Sequence, residues 1–480
     1  MIEHVLVVNA CQTGVKEVSW VAAADSACPG PRAYPGSALR STAACAALAV
    51  AATLSTLGTL AGPGAAPAPA ADGAVAADPD DRPTVRGLPR PDGAYRFVSF
   101  PDFLNQDVGD VTGASHWRKG DPAGTNAAYE KSLDHVLDDV ASHRPEAFLV
   151  AGDLVEGEWG KDETGADPFG PHRTTPQRKQ ALKEAARIYY GDWLRRVTDH
   201  GLRAYPAVGD HEIGDDPWKP RGDAQERAWI RFKANHTWLW KRQLVKHTYD
   251  AVRSAPGDDL RRVGGVSSPD RGQASDTAYA VRLDPNLLLV TVDVFRPTSS
   301  GVSVSLDPDQ HAWLSTVLRR AKKQQVPWVV VQGHVPVLGP VRTRFSSGLT
   351  YDGNDLWTLL RKHDVDAYLC GEVHDHTVIR RKGVAQMCHG GLFYRGESSY
   401  VLGQVTETKL MLETRYLQGT PQWTGTKLWS TEGGNGPQRV DYDRPSRVVG
   451  TYVLKRDPER PARSTRLKQA RGISGVRPGR

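Results

Sequence analysis

The chain reads as an α/β protein, and three observations carry that reading. Short apolar runs recur along it, and each stops at a polar cluster. Ala147 to Ala151 stops at Gly152-Asp153, Leu202 to Val208 at Gly209-Asp210-His211-Glu212, and Trp328 to Gln332 at Gly333-His334. Ala367 to Cys370 stops at Gly371-Glu372-Val373-His374 and, upstream, Tyr95 to Phe100 stops at Pro101-Asp102. Buried strands end in this way at the rim of a sheet. Segments of helical period separate several of these runs, giving strand–helix–strand units. Finally, the run ends deliver carboxylates and imidazoles, and the carboxyl ends of strands in an open α/β sheet share one edge. The set has the composition of a metal centre.

Taken in order, residues 1–36 form an N-terminal extension ahead of a segment that reads as a signal peptide, residues 37–76. After Arg40 comes an apolar, Ala-rich core to Leu60, then Gly62-Pro63-Gly64 and small residues at Ala66, Ala68 and Ala70. A basic flank, an apolar core and small-x-small sites predict export with cleavage, hence a secreted or extracytoplasmic protein. An uncleaved anchor and a low-complexity linker are the alternatives. Cys45 lacks the preceding Leu of a lipoprotein site. Residues 77–92, rich in Asp, Pro and Ala, predict a flexible linker.

From residue 93 to residue 454 the pattern is that of one globular domain. Tyr95 to Phe100 predicts a strand, and Leu133, Val136, Leu137 and Val140 predict a helix over Ala127 to Ser142 that stops at Arg144-Pro145. A second helix, about Arg178 to His200, leads into the strand before Gly209. Residues 217–275, rich in Trp and Arg and weakly periodic, predict an insertion over the rim of the site. Tyr279 to Phe295 predicts two strands meeting at Asp284-Pro285-Asn286, a hairpin signal. Helices over Pro308 to Gln324 and Asn354 to His363 precede the last two run ends, and short alternating segments after Tyr400 predict antiparallel strands. No stretch after the signal region is long and apolar enough to span a membrane.

The formal charge is +6. The tail, residues 455–480, holds nine basic residues against Asp457 and Glu459 and is expected to be disordered. The basic character therefore belongs to the tail and predicts no specific nucleic-acid partner. Oligomeric state is unspecified by sequence.

On these residues the chain resembles the calcineurin-like metallophosphoesterases, which include the purple acid phosphatases. That family's pattern is Asp-x-His, Gly-Asp-x-x-Asp, Gly-Asn-His-Asp/Glu, a lone His after a strand, and Gly-His-x-His. Here the order runs from Asp102 through Gly152-Asp153, Gly209-Asp210-His211-Glu212 and Gly333-His334 to Gly371-Glu372-Val373-His374. The resemblance implies a four-layer α/β/β/α sandwich with extra strands near the C-terminus, and a phosphoester substrate. It also implies two divalent ions, drawn from Mn, Mg, Ca, Fe or Zn. One would be held by Asp102, Asp153 and His374, the other by Asp153, Asp210, His334 and Glu372, with Asp153 bridging. His211 matches the catalytic histidine, Glu212 could orient its imidazole, and Glu156 would support the ligands without binding metal.

The departures are specific. The first motif lacks its histidine, with Asn105 a substitute one residue out of register; Asp210 replaces Asn, and Glu372 replaces His. The added carboxylates favour a hard cation. Such a centre acidifies bound water and neutralises phosphoryl oxygens, which implies hydrolysis of phosphate mono- or diesters. The alternative is a catalytically degenerate descendant acting as an extracellular binding protein. Cys11, Cys28 and Cys45 fall in the N-terminal region, while Cys370 and Cys388 lie on expected strands and pair as a disulfide or remain two buried thiols.

Overall fold

The computed structural model describes residues 93–102, 109–121, 127–159, 167–215, 222–254, 269, 272–299, 301–338, 354–391, 397–422, 439–442, 444–457 and 466–471. The expected N-terminal extension, signal peptide, linker and first three cysteines, together with Asn105, lie outside them. All described residues belong to one compact unit.

The fold is mixed α/β. Strand β1 (Tyr95–Ser99) leads to helix α1 (Ala127–Ser142) and β2 (Ala147–Val150), then to α2 (Thr175–Asp199) and β3 (Ala204–Pro206). These strands pair in parallel, β1 with β2 and β2 with β3. Leu133, Val136, Leu137 and Val140 of α1 are fully buried, as their spacing requires. Its end is set by Arg144, which adopts φ 50° before Pro145. Helix α2 starts in a capping box: Gln177 N donates to Thr174 Oγ1, and the Gln177 side chain accepts from Thr174 N.

The chain then forms α3 (Ala224–Thr248) and the short α4 (Asp250–Arg253). Within the stretch expected only as an insertion, α3 is thus a 25-residue helix. Its apolar stripe was hard to read because Lys233 and Lys241 sit among its buried residues. Strands β4 (Tyr279–Asp284) and β5 (Leu287–Thr291) make the expected hairpin, with Asp284 opposite Leu287. A small ribbon, β6 (Phe295–Thr298) with β7 (Gly301–Val304), precedes α5 (Pro308–Lys323) and β8 (Trp328–Gln332). Helix α6 (Asp355–Lys362) and β9 (Ala367–Cys370) follow, then the β10 (Thr377–Arg381) and β11 (Val384–Cys388) hairpin. The chain continues as β12 (Glu397–Val405), β13 (Lys409–Gln422), β14 (Arg439–Tyr442), β15 (Arg447–Lys455) and β16 (Arg466–Arg471). The last strand pairs antiparallel with β15, so this part of the tail expected to be disordered is strand.

The strand ends were expected to share the edge of one sheet; they come from two. One sheet runs β16-β15-β13-β12-β1-β2-β3, with β14 on β13, and the other β10-β11-β9-β8-β5-β4. Side chains of the second reach the backbone of the first. Gln332 Nε2 donates to the Tyr205 oxygen at 2.9 Å and Tyr279 Oη to the Pro206 oxygen at 2.8 Å. One apolar cluster runs through both sheets, with fully buried Phe148 and Leu149 on one side and Val330, Val331 and Leu369 on the other. No helix among the described residues is long and apolar enough to cross a membrane.

Candidate metal centre

Six side chains meet where the two sheets end. Asp102 follows β1, Asp153 follows β2 and Asp210 follows β3, all from the first sheet; His334 follows β8, and Glu372 and His374 follow β9 in the second. Four of the six residues have left-handed backbones: Asp102 at φ 51°, Asp153 at 57°, Glu372 at 69° and His374 at 51°. Non-glycine residues rarely adopt this conformation, and its concentration at one place is a mark of a functional site. The turn after β2 also requires a glycine. Gly152 has φ 94°, and a Cβ there would lie 2.6 Å from His334 Nδ1 and 2.7 Å from the Gly209 backbone.

Two sets of donor atoms lie within 4.8 Å of one another, Asp102 with Asp153 and His374, and Asp153 with Asp210 and His334. Asp153 is common to both, as the bridging role requires. His334 Nδ1 donates to the Ala151 oxygen at 2.8 Å, which leaves Nε2 facing Asp153 at 3.2 Å, Asp210 at 3.0 Å and Glu372 at 3.1 Å. Asp102 Oδ1 accepts from Glu372 N at 3.0 Å and lies 3.8 Å from His374 Nε2. Asp102 Oδ2 is buried without a hydrogen-bond partner. An imidazole nitrogen facing three carboxylates, with an orphaned acceptor beside it, is a donor set for cations. The residues present therefore fit a pair of divalent ions.

The electrostatics agree with crowded negative charge. Burial, reinforced by Asp210, pushes the Glu372 carboxyl up to about 7. Burial also raises Asp102 well above the carboxylate range, against the pull of His334 and with the push of Asp153. Burial would lower His334, but Asp153 and its other acidic neighbours hold it well above the usual imidazole range. In His374, burial prevails and lowers the imidazole to about 4, leaving a neutral ligand nitrogen. A bound cation relieves this crowding.

His211 lies beside the cluster. Its Nδ1 donates to the Glu156 main-chain oxygen at 2.6 Å, and Nε2 is 3.8 Å from Asp153 Oδ2 and 3.9 Å from Asp215 Oδ1. Glu156 therefore acts on His211 through its backbone. Glu212, expected to orient the imidazole, does something else. Its Oε2 accepts from Asp153 N at 2.7 Å and Gly209 N at 2.8 Å, and its Oε1 from Leu154 N at 2.9 Å. Fully buried, it clamps the turn after β2 to the turn after β3. Asp215 was missed. With Asp210 and His211 it forms a third set of close donor atoms, and an acid four residues after the motif histidine was its one trace in the sequence.

A family model described as "Calcineurin-like phosphoesterase" matches residues 116–376, over half of the chain. No curated protein matches the chain. Among solved structures, the chain is similar to a dimetal phosphatase from Danio rerio, with 13% identity, 67% of this chain and 95% of that one covered, and a TM-score of 0.39. It is also similar to a structure described as PhoD, with 12% identity, 82% and 74% covered and a TM-score of 0.41. A third, GAP50 of Plasmodium, described as the anchor in the inner membrane complex, has 11% identity, 73% and 90% covered and a TM-score of 0.32.

Proposed function

Because this chain belongs to the calcineurin-like phosphoesterase family, a family of phosphoric ester hydrolases, we propose that it hydrolyses phosphate mono- or diesters outside the cytoplasm at a dinuclear centre. Asp102, Asp153 and His374 would hold one cation, and Asp153, Asp210, His334 and Glu372 the other. Bound there, the ions would supply Lewis acidity, neutralising phosphoryl oxygens and acidifying a bound water. The observation that carries this reading is His334: its Nδ1 proton is committed to Ala151, and its Nε2 lies within 3.2 Å of three carboxylates.

The chain's own groups divide the remaining work. Asp153 offers an oxygen to both ligand sets and accepts from His211 N at 3.3 Å, so it also fixes the segment that bears the imidazole. His211, with Nδ1–H held by Glu156, presents Nε2 toward the centre, where it can give a proton to a leaving alkoxide or bind a phosphoryl oxygen. Asp153, Asp215 and Glu156 oppose the effect of burial and raise this imidazole above its ordinary range. Export rests on the signal-like segment at residues 37–76.

The test is metal analysis of the purified protein together with a panel of phosphomonoesters and phosphodiesters. Turnover that disappears with a chelator and returns with added cation supports the reading. A protein that binds no divalent ion and turns over no ester in the panel would overturn it in favour of a binding protein.

A further inference from the structure

Helix α3 carries two lysines that are almost fully buried, Lys233 and Lys241. A buried ammonium is costly unless paired, so the partners chosen by these two are informative. Lys233 Nζ lies 2.7 Å from Glu158 Oε1 and also donates to the main-chain oxygen of Asp215. Trp229 Nε1 donates to the other Glu158 oxygen at 3.1 Å, and Trp240 Nε1 to the Gly157 oxygen at 3.0 Å. Glu156 to Glu158 form the segment that accepts from the His211 ring, and Asp215 lies four residues after His211 in its own segment. Through Lys233 and Trp229 the N-terminal half of α3 ties down both segments, and Trp240, beyond the middle of the helix, also holds the first.

The other half reaches the second sheet. Lys241 Nζ lies 2.6 Å from Asp293 Oδ2 and 2.7 Å from the Phe295 oxygen. Asp293 comes two residues after β5, the neighbour of β8, and the Phe295 ring stands 6.1 Å from the ring of His334. Between the lysines the helix kinks at His236, φ −124°, where Nδ1 donates to the Phe232 oxygen at 2.8 Å. A side chain inserted into the helical ladder bends it and lets the two halves aim separately.

We propose that α3 braces the centre across the two sheets and that Lys233 and Lys241 are positioning residues with separable tasks. Lys233, through Glu158 and Asp215, sets the orientation of His211. Lys241, through Asp293 and Phe295, sets the placement of His334. The kinetic consequence rests on the hydrolase reading above; the structural consequence does not.

The test uses the full chain and the paired substitutions Lys233→Met with Glu158→Gln and Lys241→Met with Asp293→Asn, which remove both charges and so leave no buried ion unpaired. Lys233→Arg and Lys241→Arg, which keep the charge but replace the compact ammonium, serve if the neutral pairs do not fold. Melting temperature, kcat and KM, Mn²⁺ affinity by calorimetry and the ring-nitrogen NMR signals of His211 are measured on each. At the Lys233 pair, kcat is expected to fall on the order of tenfold to a hundredfold with KM and Mn²⁺ affinity unchanged and the His211 signal shifted. At the Lys241 pair, Mn²⁺ affinity is expected to fall on the order of tenfold. Folded variants whose kcat, Mn²⁺ affinity and His211 signal all match the wild type would overturn the brace. The same loss of the same quantity at both lysines would overturn the division of tasks. If the wild type hydrolyses no ester, the hydrolase reading fails on its own, and the calorimetric and NMR results still decide the brace.

Discussion

The Nδ1 nitrogen of His211 lies 2.6 Å from the main-chain oxygen of Glu156, and since that oxygen can only accept, the ring proton on this side is fixed. The ring nitrogen that faces Asp153 and Asp215 is therefore Nε2, at 3.8 and 3.9 Å. An imidazole oriented by a backbone group keeps its direction whatever the charge of nearby side chains. The placement separates the His211 ring from the candidate ligands, because its ring contact to Asp153 exceeds hydrogen-bond length while that of His334 does not.

That separation gives the first prediction. Asp153→Asn should abolish activity and deplete metal, because Asp153 belongs to both candidate ligand sets. His211→Gln should lower turnover by about a hundredfold or more with metal content nearly intact. Equal metal loss in the two variants, measured by elemental analysis, would defeat the division of roles.

A second prediction concerns Glu212, which accepts three backbone N–H groups from Asp153, Leu154 and Gly209. Removing the carboxylate in Glu212→Ala strands buried donors, at about 1–3 kcal/mol each. The variant should lose roughly 3 kcal/mol or more in urea unfolding. Glu212→Gln, which retains one acceptor, should lose less. Equal stability of both variants and the wild type would show that the three bonds are not the function of this side chain.

Much of this site was legible in the sequence because it is built from strand ends. Asp102, Asp153, Asp210, His334, Glu372 and His374 each follow a buried apolar run, and such runs are readable from residue type alone. What was not legible depends on contacts between distant segments. Glu212 follows His211 in sequence, yet its acceptors point to the turn after β2, a consequence of how β2 and β3 pair. Helix α3 was obscured for a related reason: its inner face carries Lys233 and Lys241, which look like surface residues until Glu158 and Asp293 are placed opposite them. Two sheets were implied only by the family resemblance, since an apolar run does not say which run it pairs with.

The cysteines give a third prediction. Cys370 and Cys388 are register partners on the parallel strands β9 and β11, and their sulfurs lie 3.0 Å apart as free thiols. Two buried thiols in contact need little motion to join, so mild oxidation should form a bond between them. Closing a loop over a separation of 18 residues would contribute roughly 3 kcal/mol in the loop-entropy model. Intact mass after oxidation and after reduction should differ by two hydrogens. Two alkylatable thiols persisting under oxidant in unfolded and refolded samples alike would exclude the pairing.

A fourth prediction follows from two buried histidines outside the ligand sets. Burial, aided by Arg415, lowers His143 to about 4, and burial lowers His389 to about 3, from an ordinary 6.5. The unfolded chain protonates these residues at a higher pH than the folded one. Stability from both is thus complete above pH 6.5 and is lost as pH falls toward 4 and 3 respectively. Each contributes a slope of about 1.4 kcal/mol per pH unit in that window. Urea unfolding between pH 7 and pH 5 should show the loss, and His389→Gln should flatten it. An unchanged slope in that variant would mean His389 is not a source.

The last prediction is the identity of the metal. Each of the two ligand sets contains a single imidazole, His374 in one and His334 in the other, and the rest of each set is carboxylate. Glu372 adds a further oxygen 3.1 Å from His334 Nε2. In the pattern that the chain resembles, the positions of Asp210 and Glu372 hold a neutral amide and an imidazole, so this centre gains negative charge and loses nitrogen. Oxygen-rich, charged sites suit Mn²⁺, Mg²⁺ or Ca²⁺, whereas imidazole-rich sites suit Zn²⁺. The metal-stripped protein should therefore regain activity with Mn²⁺ or another hard cation in preference to Zn²⁺. Asp210→Asn combined with Glu372→His should move the preference toward Zn²⁺, because the pair restores one nitrogen and removes two negative charges. Calorimetric titration of both proteins with Mn²⁺ and Zn²⁺, alongside activity, separates affinity from catalytic competence. Unaltered protein that holds two tightly bound zinc ions and is fully active with them would sink the assignment.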